Sequence, residues 1–148
     1  MNIIKLKKLG IKVYAAFIIM LAIVVLQSCT TTKYNFSTSR VVPAAEGTVK
    51  VKKDKNNNYN IELHVNRLAE PNRLSPAKEM YIVWMETEEN GKVNIGQLKT
   101  SSGMLSGSLK SSLKTVATFK PTGFFITAED NATLQYPGGQ TVLSTGSL

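Results

Sequence analysis

VKVKKDKNNNYNIELHVN, residues 49–66, decides the architecture. Val49 and Val51 alternate with Lys50 and Lys52, and Tyr59, Ile61, Leu63 and Val65 alternate with Asn60, Glu62, His64 and Asn66. A period of two sends successive side chains to opposite faces of a strand, so one face is apolar and the other wet. Between the two runs lies Asp54-Lys55-Asn56-Asn57-Asn58, whose side chains favour turns. The stretch predicts an antiparallel hairpin with one buried face, and that face needs a second layer to cover it.

The chain downstream supplies the layer. Residues 67–79 contain Pro71 and Pro76, which exclude a regular central strand and predict a crossover between sheets. Residues 80–85, MYIVWM, are continuously apolar, as a strand covered on both sides requires. Glu86, Glu88 and Glu89 lead into Asn90-Gly91, the strongest hairpin signal in the chain. Lys92 to Leu98 returns, with Gly96 marking a bulge or an edge. Residues 100–112 are rich in Ser and Gly, with Met104, Leu105 and Leu109 able to anchor a short strand. Residues 113–120 predict the next strand, Pro121-Thr122-Gly123 a turn, and Phe124 to Ala128 another buried strand. Pro137-Gly138-Gly139 is a further turn before a last strand over 141–145. The fold class is therefore all-β: an antiparallel Ig-like β-sandwich of about seven or eight strands over residues 41–148, preceded by a signal-peptide helix.

The signal peptide is read from residues 1–28. Lys5, Lys7, Lys8 and Lys12 precede an uncharged apolar run over 13–26, and Gln27, Ser28 and Cys29 follow. A basic stretch, an apolar stretch and a small residue before the cut are the parts of a secretory signal. The fourteen apolar residues fall short of the roughly 17–25 that span a bilayer as a helix. Leu26-Gln27-Ser28-Cys29 resembles the bacterial lipobox, with leucine at −3 and a small residue at −1. The resemblance implies cleavage between Ser28 and Cys29, lipid on the Cys29 sulfur and acylation of its new amine. Several acyl chains make an anchor durable where one alone is marginal. Thr30 follows the cysteine in place of aspartate, which among lipoproteins points to the outer membrane where a cell has one. Residues 29–40 are then the lipidated cysteine and a polar, Ser/Thr-rich tether.

The net charge of +8 comes in part from those signal lysines. After residue 28 the bases are scattered along the chain, apart from Lys50, Lys52, Lys53 and Lys55, so the sequence predicts no nucleic-acid partner. Hydrophobic content of 43% with 19% charged residues excludes wholesale disorder. Cys29 is the only cysteine, which excludes an intrachain disulfide, a CxxC pair and a cysteine-rich zinc site.

Candidate catalytic and metal-ligating groups are few, and none is assigned. His64, the sole histidine, falls on the wet side of its strand. Glu86, Glu88, Glu89 and the Glu129-Asp130 pair flank turns, where solvated charge is expected. Ser101, Ser102, Ser106, Ser108, Ser111 and Ser112 have neither a GxSxG elbow nor an SxxK start and predict a flexible loop. Tyr81 and Trp84 belong to the buried run MYIVWM. No catalytic residue, metal ligand or cofactor is expected.

From about residue 63 onward the chain resembles the extracytoplasmic C-terminal domain of anti-sigma factors of the anti-sigma-K type. Tyr81-Ile82-Val83-Trp84-Met85 is similar to that family's Tyr-x-x-Trp strand, following a leucine- and proline-bearing loop from Leu68. Asn90-Gly91-Lys92 with Ile95-Gly96-Gln97-Leu98 is similar to its hairpin. Phe125-Ile126-Thr127-Ala128-Glu129, then Pro137-Gly138-Gly139 and Val142-Leu143, is similar to its closing hairpin with T-x-E and a proline-glycine turn. Only twelve residues precede the apolar run, where the family carries a cytoplasmic helical domain. What the resemblance implies is the sandwich and a sensory or partner-binding role outside the cytoplasm. The expectation is a non-enzymatic lipoprotein, held to the membrane through acyl chains on Cys29, whose sandwich binds an envelope protein or glycan; the alternative is a structural or adhesive surface lipoprotein without a discrete ligand.

Overall fold

The computed structural model describes residues 31–102 and 109–148; the expected signal peptide, Ser28 and Cys29 lie outside them. The described residues form β1 (Thr31–Asn35), β2 (Glu46–Lys53), β3 (Tyr59–Asn66), β4 (Met80–Thr87), β5 (Gly91–Gln97), β6 (Lys99–Ser102), β7 (Leu109–Ala117), β8 (Pro121–Glu129) and β9 (Thr141–Ser147). A 3-10 turn at Pro71–Arg73 lies in the crossover between β3 and β4. All pairings are antiparallel, in one sheet of order β1-β2-β3-β7-β6, here sheet A, and one of order β5-β4-β8-β9, sheet B. Taking β2 as strand A of an immunoglobulin-like sandwich, sheet A reads A-B-E-D and sheet B reads C′-C-F-G, with β1 added outside strand A. The Ig-like sandwich expected from the sequence is present, with nine strands among the described residues in place of seven or eight.

The core forms where the alternating apolar faces meet. Val49, Val51, Ile61, Leu63 and Val65 of sheet A are buried against Tyr81, Val83, Met85, Phe124, Ile126 and Leu143 of sheet B. Each such side chain contributes roughly 1.5–3 kcal/mol of transfer free energy when fully buried. The β2–β3 turn is held from within, as Asp54 Oδ1 accepts the backbone N–H of Asn56 at 2.8 Å and of Asn58 at 2.9 Å. Asn57 takes the left-handed conformation there, φ +65°, which asparagine tolerates.

Both flanks of the sandwich are laced by chain that changes sheets. On one side β5 continues into β6 through Leu98, whose N–H donates to the Tyr81 carbonyl at 3.0 Å. On the other, Ser37, just past β1, donates its N–H to the Ser144 carbonyl of β9 at 2.8 Å. Gly96 marks a bulge as its sequence context suggested: Val83 pairs with Gly96 and Trp84 with Asn94, so Ile95 is the extra residue. Gly96 has φ +128°, a region that favours glycine.

Three local expectations are corrected. Residues 31–35, expected to belong to a tether, pair along β2 as β1. The serine-rich stretch is not a loop at its two ends, since Ser101 and Ser102 lie in β6 and Ser111 and Ser112 in β7; Ser106 and Ser108 lie outside the described residues. Pro121 to Gly123 open β8 rather than forming a turn, with proline at the first strand position, where its missing N–H is tolerated.

Candidate functional site

Sheet B carries a second layer on its outer face. Ile82 and Trp84 of β4 and Phe125 of β8 point away from the inter-sheet core, yet all three are buried. The chain between β8 and β9, residues 130–140, covers them, with Leu134 packed against the cluster. Trp84 and Phe125 stack with ring centroids 6.2 Å apart, and Lys92 Nζ stands 5.3 Å from the Phe125 centroid. Trp84 is thus buried as the sequence led one to expect, but beneath a loop instead of between the sheets.

One carboxyl group pins that loop. Glu129 was expected to be solvated where β8 leaves the sheet; it is instead 3% exposed. Its Oε1 accepts the Thr127 hydroxyl at 2.7 Å, the Gly138 N–H at 3.1 Å and the Gly139 N–H at 2.9 Å. The physical reason for the correction is the turn at Pro137-Gly138-Gly139, which folds back and brings two backbone donors to the strand end. Thr127 in turn accepts Trp84 Nε1–H at 2.8 Å. Gly139 is required by closeness, since a Cβ there would sit 1.8 Å from the Ala128 carbonyl oxygen. From the other side Asn94 Nδ2 donates to the carbonyls of Ala132 and Leu134 at 3.0 and 2.9 Å. At the crest of this pinned loop Tyr136 is 78% exposed.

The outer face of sheet A has a different character. The strand register arranges its outward residues in rows: Thr31, Lys52, Asn60 and Val116; then Lys33, Lys50, Glu62 and Lys114; then Asn35, Thr48, His64, Ser112 and Lys99. Lys110 follows in a fourth row beside Asn66. Among the described residues this face therefore carries six exposed lysines, from four different strands. The sequence shows these bases as scattered; strand order brings them together. An open cleft of about 410 Å³ lies among Lys50, Lys52, Asn60, Glu62, Lys114 and Val116.

His64 lies on this wet face, as alternation required, with its Nε2 3.1 Å from Glu62 Oε1. Lys114 Nζ lies 2.7 Å from the same oxygen. The Glu62 carboxyl is held down to about 2, first by the hydrogen bond from Lys114 and then by that from His64. Glu62 is thus an acceptor shared by Lys114 and His64 on the wet face of β3 and β7. Asp130 is exposed and paired with Lys78, whose own pKa that contact raises. Glu88 and Glu89 sit exposed at the β4–β5 turn. Tyr81 donates its hydroxyl to the Ala69 carbonyl at 2.9 Å, and burial pushes its pKa up to about 12.

Among the described residues no three His, Cys, Asp or Glu side chains gather to hold a metal ion, and no helix is long and apolar enough to cross a membrane. Compared with known proteins, the chain matches no family model, no curated protein and no solved structure.

Proposed function

We propose that the protein is a lipid-anchored, non-enzymatic module of the bacterial cell envelope that binds a protein or glycan partner. The observation that carries the binding role is Tyr136, displayed on a loop fixed at two points by Glu129 and Asn94. Rigidly presented aromatic side chains supply large contact area at low entropic cost, and binding groups concentrate on loops held by a rigid scaffold. The anchoring role rests on the lipobox-like Leu26-Gln27-Ser28-Cys29 behind an apolar run. The resemblance to anti-sigma-K-type domains favours envelope sensing over a purely structural role.

A photo-crosslinking amino acid at position 136 tests the binding role in living cells. One defined partner should be captured there and not from a probe at exposed Asn72 on the β3–β4 crossover. Identical, diffuse capture from both positions would overturn the assignment. Anchoring is tested separately by mass spectrometry of the membrane-derived protein, which should begin at an acylated Cys29.

A further inference from the structure

We propose that the outer face of sheet A is the surface on which the domain lies against an anionic phospholipid bilayer, a deepening that rests on the anchoring role above. Three observations converge on it.

The first is charge. Lys33 and Lys50 stand directly opposite each other on β1 and β2, a like-charge pair that destabilises a sheet. Glu62, opposite Lys50 on β3, is the one acid in the three rows that join β1 to β7. Lys33, Lys50, Lys52 and Lys99 have no ion-pair partner among the described residues. The acids of this sheet are already engaged: Glu62 with Lys114 and His64, Glu46 with Arg67. Glu86, Glu88, Glu89, Glu129 and Asp130 all belong to the other sheet and its loops. The molecule is therefore polarised across its thickness, with a net cationic face on one side.

The second is where the chain arrives. β1 begins at Thr31, in the same row as Lys52, and two residues of chain reach at most about 7 Å. An acyl anchor on Cys29 would hold the corner of this face within that distance of the headgroups. A polybasic surface beside a lipid anchor is the second signal that makes membrane attachment stable.

The third is apolar exposure at the same end. Val116, in the Thr31 row, is 59% exposed, and Phe119, in the following β7–β8 turn, is 39% exposed. Val116 shares its cleft with Lys50, Lys52 and Lys114. An apolar side chain among cations matches the headgroup–acyl boundary better than a sugar chain, which would be met by hydrogen-bonding and aromatic groups. Phe119 lies apart, beside Glu88 and Glu89 of the β4–β5 turn. In this orientation sheet B and Tyr136 face away from the membrane, toward a partner.

The test uses the full acylated chain reconstituted into phosphatidylcholine vesicles with and without phosphatidylglycerol, and reads lysine acetylation residue by residue. Lys33, Lys50, Lys52 and Lys114 should label several-fold more slowly on the anionic vesicles, while Lys92 on sheet B labels equally on both. In the acylated chain, replacing Lys33, Lys50 and Lys52 by glutamine should return Lys114 to the labelling rate it has on phosphatidylcholine alone, with thermal stability not lowered. Acylated protein that floats with both vesicle types but shows no charge-dependent protection overturns the docking face. Protection by soluble polygalacturonate, with none from vesicles, overturns the bilayer as its occupant. An unacylated Cys29 together with retained protection by anionic vesicles sinks the anchor and leaves the docking face standing.

Discussion

Thr127 and Glu129, two residues apart on β8 and so on the same face, are joined by a hydrogen bond of 2.7 Å from the threonine hydroxyl to Oε1. Because Trp84 already donates to that hydroxyl, its proton has one direction to go, and the indole, the hydroxyl and the carboxyl form a directed chain. The chain ends at the backbone of the loop that carries Tyr136. Stability of the outer layer and presentation of the exposed aromatic are thus one structural matter.

Glu129→Ala removes an acceptor shared by three donors. The Thr127 hydroxyl is buried and the two glycine amides part-buried. A buried donor left unpaired costs about 1–3 kcal/mol, so urea denaturation should show a loss of about 2 kcal/mol. Hydrogen exchange at the Gly138 and Gly139 amides should accelerate as well. A variant as stable as the parent, with those amides still protected, would show that the loop is held by other contacts.

Gly139→Ala places a methyl group against the Ala128 carbonyl, which is backbone and cannot rotate aside. Overpacking ordinarily costs about 1–3 kcal/mol, and a main-chain obstacle puts this variant at the upper end or beyond. Thermal denaturation beside Gly138→Ala, whose Cβ would meet nothing nearer than 3.8 Å, separates close approach from a general glycine effect. Equal losses at the two positions would contradict the argument.

Trp84→Ala should cost about 3–5 kcal/mol, the range for removing a buried aromatic. Trp84→Phe should cost less, since it keeps most of the stacking on Phe125 and loses only the donor to Thr127. Trp84 is the only tryptophan, so unfolding of both variants is followed by circular dichroism. If the phenylalanine variant lost as much as the alanine one, the hydrogen bond would outweigh the packing.

Acid should loosen sheet A through Glu62 and Asp54. Both carboxyls lie below their ordinary values, Glu62 at about 2 through Lys114 and then His64, Asp54 through the backbone N–H of Asn58. A depressed folded-state pKa means stability that is complete above the unfolded value and lost as pH falls through the folded one. The loss from Glu62 therefore falls between about 4.5 and about 2. Melting temperatures of the parent should drop across that window, and Glu62→Gln should flatten the drop. An unchanged profile in the variant would show that the triad of charges contributes nothing.

Tyr136→Ala should leave stability within about 0.5 kcal/mol, as surface substitutions do, while abolishing partner capture. His64→Ala should leave both intact, because Lys114 still holds Glu62. A folded His64→Ala protein without partner binding would instead point to the wet face of sheet A as the partner's site.

Strands β2, β3 and β4 were legible because their burial follows the identity of each side chain in sequence. β1 was not: TTKYN has no apolar alternation, and apart from Tyr34 its side chains are exposed. In β7 the buried position is Ser111, so a serine interrupts the apolar pattern. Glu129 escaped for a different reason. Its burial depends on donors nine and ten residues later, and no local pattern announces that return. The cationic face was hidden likewise, since strand order, not sequence distance, sets Lys33, Lys52, Lys99 and Lys114 on one surface. The Cys29 motif is the reverse case, readable only as sequence and lying outside the described residues.

The pairing of β1 has a mechanical consequence. Its rungs run from Thr31 opposite Lys52 to Asn35 opposite Thr48, so a pull through the chain ahead of Thr31 acts along the strand axis. The loop bearing Tyr136 follows Glu129, at the opposite end of the sandwich from the β7–β8 turn beside which Thr31 lies. A partner tugging there and an anchor resisting at the N-terminus would load every rung at once, in shear, instead of opening them one by one. Resistance then depends on the barrier to rupture, not on the small equilibrium worth of an exposed edge. A five-residue polar strand that adds little to the core can thus serve as the clamp between tether and fold.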